Sequence, residues 1–208
     1  YNSSVKTITT ELNGINIKPR KKVHPFKFTN QFKINQISFS YNKQLILDNI
    51  ELEIRKGETI GIIGETGSGK STFVDLINGL LKPSEGNITV DNIDIENFLN
   101  SWQKSIGYVG QDIYLIDDTI KANVSFGNSN DKVDDNALNN ALNASQLTKF
   151  INGLEDGLDS KVGDRGIHLS GGQKQRIGIA RALYNNPELL IFDEATASLD
   201  NQTEKNVM

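Results

Sequence analysis

The most informative part of the chain is Gly64-Glu65-Thr66-Gly67-Ser68-Gly69-Lys70-Ser71-Thr72. A β-branched run precedes it at residues 59–63, and residues 71–81 carry apolar side chains at helical spacing, which predicts a strand, a loop and a helix. Glycines let consecutive backbone N–H groups turn inward around phosphate oxygens, and the following helix presents its positive end to the same anion. We therefore predict a phosphate-binding loop, in which Lys70 reaches the β and γ phosphates and the Ser71 hydroxyl ligates Mg²⁺.

An acid pair follows the second informative segment. Residues 189–192 form a continuous apolar run that predicts a strand buried on both faces, and Asp193 and Glu194 come directly after it. Ligands bind at the carboxyl ends of strands in parallel α/β sheets, so Asp193 is expected to complete the Mg²⁺ site. Glu194 is then placed to orient or deprotonate the water that attacks the γ phosphate. An ordinary helix N-terminus would also favour two acids.

A third segment, Leu169-Ser170-Gly171-Gly172-Gln173, opens a run of helical spacing at residues 173–184. Ser170 can cap this helix and donate its hydroxyl, while the amides of Gly171 and Gly172 face outward. The segment predicts a second anion-binding site in the same chain. A glycine-rich helix start that binds no ligand would have the same sequence pattern.

The phosphate loop, this pentapeptide and the acid pair, in this order, resemble the signature of ATP-binding cassette (ABC) proteins. The resemblance extends from about Phe32 to the end of the chain. It implies an α/β fold, with a P-loop NTPase core, an antiparallel β subdomain and an inserted helical subdomain at about residues 112–180. It also implies that ATP and Mg²⁺ bind and that ATP is hydrolysed.

In this family the signature of one subunit closes over the nucleotide held by the phosphate loop of another. The resemblance therefore implies a head-to-tail dimer of two nucleotide-binding domains, whose bound nucleotide touches Ser170, Gly171, Gly172 and Gln173 of the partner. Because both half-sites are intact in this sequence, a homodimer is favoured.

Further residues match the family in the expected order. Tyr41 falls at the position of the aromatic that stacks on adenine, although a strand aromatic within a core would fit the same pattern. Gln111 is similar to the glutamine that contacts Mg²⁺ and the attacking water and links the core to the helical subdomain. Residues 198–200, Ser-Leu-Asp, resemble the loop that connects the two nucleotide sites.

The segment Val162-Gly-Asp-Arg-Gly166 resembles one found in exporter-type cassettes, where it touches the intracellular loops of the membrane domains. This chain has Asp164 where glutamate is usual. The exporter interpretation implies a transmembrane domain in the same polypeptide, a transported substrate that the sequence does not identify, and a location at the cytoplasmic face of a membrane.

The polar residues 1–31 are then a linker from an upstream transmembrane domain, and residues 32–208 are the nucleotide-binding domain. The basic run at residues 18–24 is either a solvated tail or a segment attracted to anionic lipid. The family's switch histidine is expected about thirty residues after the acid pair, where neither His24 nor His168 lies, so the sequence is expected to be a fragment.

Short alternating apolar segments predict the rest of the fold. Residues 32–39 and 46–54 suggest antiparallel strands, residues 87–95 a further strand pair, and residues 105–109 another strand. Apolar residues at helical spacing over residues 131–151 predict a helical region.

Composition limits the alternatives. The chain has 208 residues with 22 basic and 26 acidic side chains, so no overall positive charge is present to hold nucleic acid. The absence of cysteine excludes a disulfide scaffold and a thiol nucleophile. Two other functions remain: an ATP-gated regulatory cassette without sustained hydrolysis, and a soluble ABC ATPase. An intact Glu194 disfavours the first, and the absence of sustained heptads between Lys70 and Ser170 disfavours a coiled-coil form of the second.

Overall fold

A computed structural model of the chain describes residues 27–127 and 133–193. Glu194, residues 198–200 and the basic run at residues 18–24 lie outside these ranges, so the interpretations given for them stay predictions.

Four strands form an antiparallel sheet in the order β2-β1-β3-β4. The strands are β1 (Gln31–Tyr41), β2 (Gln44–Arg55), β3 (Glu85–Val90) and β4 (Ile93–Asp94). Burial alternates in β1 on both sides of an irregularity at residues 35–36, with residues 32, 34, 37 and 39 buried, which is the burial pattern of a sheet with one face on a core. The antiparallel subdomain predicted from the sequence is confirmed.

Two further strands, β5 (Ile106–Val109) and β6 (Leu189–Phe192), pair in parallel with Ile106 opposite Leu189. The helices are α1 (Lys70–Ile77), α2 (Leu99–Lys104), α3 (Ile120–Val124), α4 (Asp135–Ala144), α5 (Thr148–Ile151) and α6 (Gly171–Tyr184). Short 3₁₀ turns occur at Ile95–Phe98, Gly157–Asp159 and Asp164–Gly166. Strands and helices together give the α/β fold that the sequence predicted. No helix within residues 27–127 and 133–193 combines the length and the apolar character needed to span a membrane.

Three details of the prediction are wrong. Residues 59–63 are not a strand, because no strand among the described residues pairs with them, and Ile63 is 96% exposed. Helix α1 ends at Ile77 rather than at residue 81, since Gly79 adopts a φ of 66° and Leu80 N donates to Asp75 O at 2.9 Å, which closes a Schellman motif. Strand β6 is half-buried along its length, because β5 is its only pairing partner in the described part of the chain.

The helical stretch predicted over residues 131–151 is present as two helices, α4 and α5. Gln146 adopts a left-handed φ of 59° between them, which breaks the helical path. Asp134 caps α4 by accepting hydrogen bonds from the N–H groups of Asn136 and Ala137.

Two main hydrophobic cores hold these elements. The first lies between the antiparallel sheet, α1 and α2, and the second is formed by α3, α4, α5 and α6. Trp102 is fully buried in the first core, where its ring stacks on Phe32 at 5.6 Å and its Nε1 donates to Ile77 O at 2.7 Å. Its indole therefore joins α2 to both the sheet and α1.

Strands β5 and β6 lie between α1 and α6. Successive side chains of a strand point to opposite faces. One face packs against the first core, which includes α1, through Ile106, Leu189 and Ile191. The other face packs against α6 in a third, small cluster of Val109, Ile179, Ala182, Leu190 and Phe192. The helices α1 and α6 are consequently on opposite faces of the parallel pair.

The start of β1 is fixed by one carboxylate. Asp91, in the turn after β3, accepts hydrogen bonds of 2.7 to 2.9 Å from Thr29 N, Thr29 Oγ1, Asn30 N and Gln31 N. Partial burial opposes ionisation, but the hydrogen bonds from Gln31, Thr29 and Asn30 outweigh it and lower the pKa of Asp91 to about 2.

We expect the Asp91→Asn variant to be less stable than the parent at neutral pH by about 1 kcal/mol, because a charge-assisted acceptor is lost. The ordinary pKa of an aspartate is 3.8 and the folded value is about 2, so the ionised group stabilises the fold above pH 4. That contribution is lost as the pH falls from about 4 to about 2. Urea unfolding at a series of pH values measures it, with Glu53→Gln, from an exposed ion pair with Lys33, as the control. A stability difference that stays constant over this pH interval would contradict the assignment.

Candidate functional site

The predicted phosphate loop is exposed and tightly curled between residues 64 and 69. Gly67 and Gly69 have φ angles of 84° and 92°, which glycine adopts without strain. A Cβ added to Gly64 would lie 2.7 Å from Ser68 Oγ, so the two ends of the loop are close together. The remaining loop residues, Glu65 and Thr66, are also exposed.

Lys70 begins α1 and reaches back over the loop. Its Nζ donates to the carbonyl oxygens of Gly64 and Glu65 at 2.7 and 2.9 Å. No ion pair within the described ranges includes Lys70. The loop carbonyls therefore hold a cation whose charge no carboxylate of the described residues neutralises, as an anion-binding lysine requires. Ser71 is exposed in the first turn of the same helix, and Thr72 is half-buried.

The hairpin of β1 and β2 lies against the end of the loop. A Cβ on Gly69 would be 3.0 Å from Leu47 Cδ2 and 3.2 Å from Ile46 Cγ2, both in β2. Tyr41 lies at the tip of the same hairpin, is 46% exposed, and contacts Phe39 edge to face at 4.8 Å. Tyr41 is thus an exposed ring on the hairpin that contacts the loop, and its exposed face is free to stack on a base.

Asp193 and Gln111 follow the carboxyl ends of the two parallel strands. Asp193 N donates to Val109 O at 2.9 Å and so extends the pairing of β6 with β5 by one residue. Gln111 is exposed in the turn that follows β5. Both residues therefore lie at the edge where parallel sheets bind ligands.

Tyr108 was missed by the sequence interpretation. Its hydroxyl donates to Asp193 Oδ2 at 3.1 Å. Partial burial, the hydrogen bond to Asp193 and the negative charges of Asp193 and Asp75 raise the pKa of Tyr108 to about 12. The hydroxyl consequently keeps its proton at neutral pH. No local pattern could have revealed this contact, because the two residues are 85 positions apart.

The signature segment forms the start of α6 as a capping box. Ser170 Oγ accepts from Gln173 N at 3.3 Å, and Gln173 Oε1 accepts from Ser170 N at 2.7 Å. Since the serine oxygen acts as an acceptor here, its own proton remains to be donated to an anion. Gly171 is exposed and Gly172 half-exposed at this end. Capping and anion binding are therefore compatible roles of Ser170.

Arg181, in the last turn of α6, is a second residue that the sequence interpretation missed. It donates to Asn123 O at 2.8 Å, to Tyr114 O at 2.9 Å and to Asn123 Oδ1 at 3.1 Å, and it lies over the Phe126 ring at 5.2 Å. Burial lowers the pKa of Arg181, and these hydrogen bonds offset the cost of desolvating the guanidinium. Arg181 thereby joins the signature helix to the segment that follows Gln111.

The segment at residues 162–166 precedes the signature as a turn that is exposed only at its middle. Val162 is buried, whereas Asp164 and Arg165 are exposed and Ile167 is 73% exposed. These exposed residues are accessible to a partner.

The candidate metal ligands have the chemistry that Mg²⁺ prefers. Ser71, Gln111 and Asp193 offer a hydroxyl, an amide oxygen and a carboxylate, all hard oxygen donors. Within the described residues no cluster of three or more histidine, cysteine or acidic side chains could hold a metal. A site with so few protein ligands suits Mg²⁺, which keeps several waters and binds beside phosphates.

A curled glycine loop at the start of a helix, in a domain whose parallel strands carry Gln111 and Asp193 at their carboxyl ends, is the arrangement of a P-loop nucleotide-binding domain. Residues 47–197 match the family profile described as ABC transporter, which covers most of the chain. The chain therefore belongs to the ABC transporter family, and the resemblance stated from the sequence is confirmed. Domains of this family bind ATP, generally with Mg²⁺, and are in general ATPases.

Similar proteins include ABC transporter B family member 22 of Arabidopsis thaliana, 40% identical over 92% of this chain and 16% of the relative. The ATP-dependent lipid A-core flippase of Cupriavidus metallidurans is 39% identical over 83% of this chain and 30% of its own length. A solved bacterial Atm1-family ABC exporter with ATP bound superimposes with a TM-score of 0.84 at 32% identity, over 98% of this chain and 36% of that one. The chain thus spans about a third or less of the length of these proteins.

Proposed function

We propose that this chain is the nucleotide-binding domain of an ABC exporter, which binds ATP with Mg²⁺ and hydrolyses it to drive transport. Relatives of the chain are a flippase and an exporter, and the segment at residues 162–166, which exposes Asp164 and Arg165, resembles the exporter pattern. In the whole protein a transmembrane domain precedes this domain in the same polypeptide, which lies at the cytoplasmic face of the membrane. The transported substrate contacts that other domain. We retain the division into a linker at residues 1–31 and a nucleotide-binding domain at residues 32–208, with its helical subdomain at about 112–180.

The observation that carries the proposal is the position of the two candidate anion sites. The phosphate loop opens α1 and the signature opens α6, and these helices pack on opposite faces of the β5–β6 pair. One chain therefore offers two separate half-sites. In a head-to-tail homodimer each phosphate loop meets the partner's signature, so that every half-site becomes part of a complete nucleotide site.

Each candidate site residue has a role in binding or hydrolysing ATP. Lys70 and the loop amides of residues 64–72 bind the phosphates, while Tyr41 stacks on the adenine. Ser170, Gly171, Gly172 and Gln173 bind the γ phosphate held by the partner. Ser71, Gln111 and Asp193 hold Mg²⁺, which would supply positive charge opposite the phosphate oxygens. Glu194 and Gln111 orient the attacking water, and Glu194 accepts its proton.

Nucleotide-dependent pairing tests this function. We expect the full-length protein carrying Glu194→Gln to bring its two nucleotide-binding domains together with Mg-ATP and to separate them without it. The apolar area available to hold such a polar interface closed is small when no nucleotide fills it. Cross-linking between single cysteines placed on two exposed residues beside the half-sites, Ile63 before the phosphate loop and His168 before the signature, measures the contact, since the native chain has no cysteine.

The matched control adds Lys70→Ala to the same cysteine pair, which should abolish the ATP-dependent cross-link. Equal cross-linking with and without ATP would point to another interface. No cross-link at saturating Mg-ATP, in a protein that binds ATP, would overturn the head-to-tail dimer.

A further inference from the structure

We propose that Tyr108 is a positioning residue for the magnesium site, which holds the Asp193 carboxylate and supports the turn that carries Gln111. The inference rests on the proposed function, because it assigns a role within the same nucleotide site.

The first observation is the direct contact. The Tyr108 hydroxyl donates to Asp193 Oδ2 at 3.1 Å, across the register that pairs Tyr108 with Ile191. Asp193 follows β6 and is joined to Val109 through its backbone N–H, so its main chain is fixed and its side chain is the part left to orient. The tyrosine hydroxyl restrains that side chain and does not itself occupy Oδ1.

The second observation is the position of the tyrosine ring. A Cβ added to Gly110 would lie 3.3 Å from Tyr108 Cε1 and 3.6 Å from Cζ, so the ring covers the residue directly before Gln111. The same side chain therefore contacts the segments that carry two of the three candidate Mg²⁺ ligands.

The third observation is the direction of the side chain. Gly107 faces the end of α6, because a Cβ there would lie 2.7 Å from Ala182 O. Tyr108 is the next residue and points to the opposite face of β5, which packs on the first core, to which α1 also belongs. Asp75 of α1 acts electrostatically on its hydroxyl. Tyr108 thus lies between the helix that begins with Lys70 and Ser71 and the strand ends that carry Gln111 and Asp193.

A residue in this position acts on the metal through its ligands. Partners that orient metal ligands commonly contribute about 10- to 100-fold to metal affinity. Because Mg²⁺ draws most of its ligands from water and phosphate, we expect the lower end, about tenfold, for the loss of the Tyr108 hydroxyl.

The test is Tyr108→Phe in the full-length protein, since phenylalanine keeps the ring over Gly110 and removes only the hydroxyl. ATP affinity is measured by equilibrium titration, once over a range of Mg²⁺ concentrations and once in EDTA. We expect the Mg²⁺ concentration for half-maximal tightening of ATP binding to rise about tenfold, with metal-free affinity unchanged.

The matched control is Tyr184→Phe. The Tyr184 hydroxyl is also hydrogen-bonded, accepting from Asp134 N at 2.9 Å, but it lies in the second core. This variant should lower the thermal unfolding midpoint without changing the Mg²⁺ dependence.

The outcomes separate the two proposals. Equal weakening of ATP binding with and without Mg²⁺ would make Tyr108 merely structural, and an unchanged Mg²⁺ dependence in Tyr108→Phe would also overturn its role. If ATP binding by the parent protein did not depend on Mg²⁺, the magnesium site of the proposed function would be overturned instead.

Discussion

The Glu194→Gln variant of the full-length protein is expected to lose ATP hydrolysis by a factor of about 10² or more and to keep ATP binding. Glutamine has nearly the same shape as glutamate and still forms hydrogen bonds, but it cannot accept the proton of the attacking water. Phosphate release measures turnover, and equilibrium titration with ATP measures binding.

The matched control for this variant is Glu188→Gln, at the other end of β6. Glu188 forms an exposed ion pair with Lys56 at 3.0 Å and lies at the amino end of the strand, away from the candidate metal ligands. This variant should hydrolyse ATP at the rate of the parent. Undiminished turnover by Glu194→Gln would remove Glu194 from the role of general base.

The Lys70→Ala variant is expected to bind ATP about ten- to a hundredfold more weakly. Each charge-assisted hydrogen bond to a phosphate contributes about 1.5–3 kcal/mol. Lys70 Nζ also donates to Gly64 O and Glu65 O. Its loss therefore also removes two hydrogen bonds that hold the loop in its curled conformation. Equilibrium titration of the purified variant with Mg-ATP measures the affinity.

Lys82→Ala provides the matched lysine control. Lys82 pairs with Glu96 at 2.6 Å on the surface, where an ion pair contributes at most about 1 kcal/mol to stability. Its removal should leave ATP affinity unchanged. If Lys70→Ala bound Mg-ATP as tightly as the parent, the phosphate-loop assignment would be wrong.

Local signals in the sequence predicted most of the fold. Alternation over β1 and β2 and helical spacing over α6 are properties of neighbouring residues, and the structure contains all three elements. The run at residues 59–63 failed as a strand because a strand depends on a partner elsewhere in the chain, which composition does not reveal. Helix α1 ended early because Gly79 supplies a left-handed residue, and the apolar pattern continues past it.

The candidate site likewise contains parts that local sequence motifs predict and parts that depend on contacts between distant residues. The phosphate loop, the signature and the acid pair are contiguous motifs, so their chemistry could be predicted from the sequence and the family resemblance. Tyr108 and Arg181 act through contacts with residues 85 and 58 to 67 positions away. Such contacts arise from strand register and helix packing, so only the folded chain brings them together.

The separation of the hydrophobic residues into two cores bears on how the chain opens. The cores meet at the small cluster around Val109 and Ile179, where β5 and β6 pack on α6. Regions that, within residues 27–127 and 133–193, are joined by so few buried side chains can unfold as separate cooperative units, each with its own opening free energy. Amide hydrogen exchange would then divide the chain into two classes of protection, with α4 and β1 in different classes. Because the phosphate loop belongs to one unit and the signature to the other, local opening of either unit would disable only one half-site at a time.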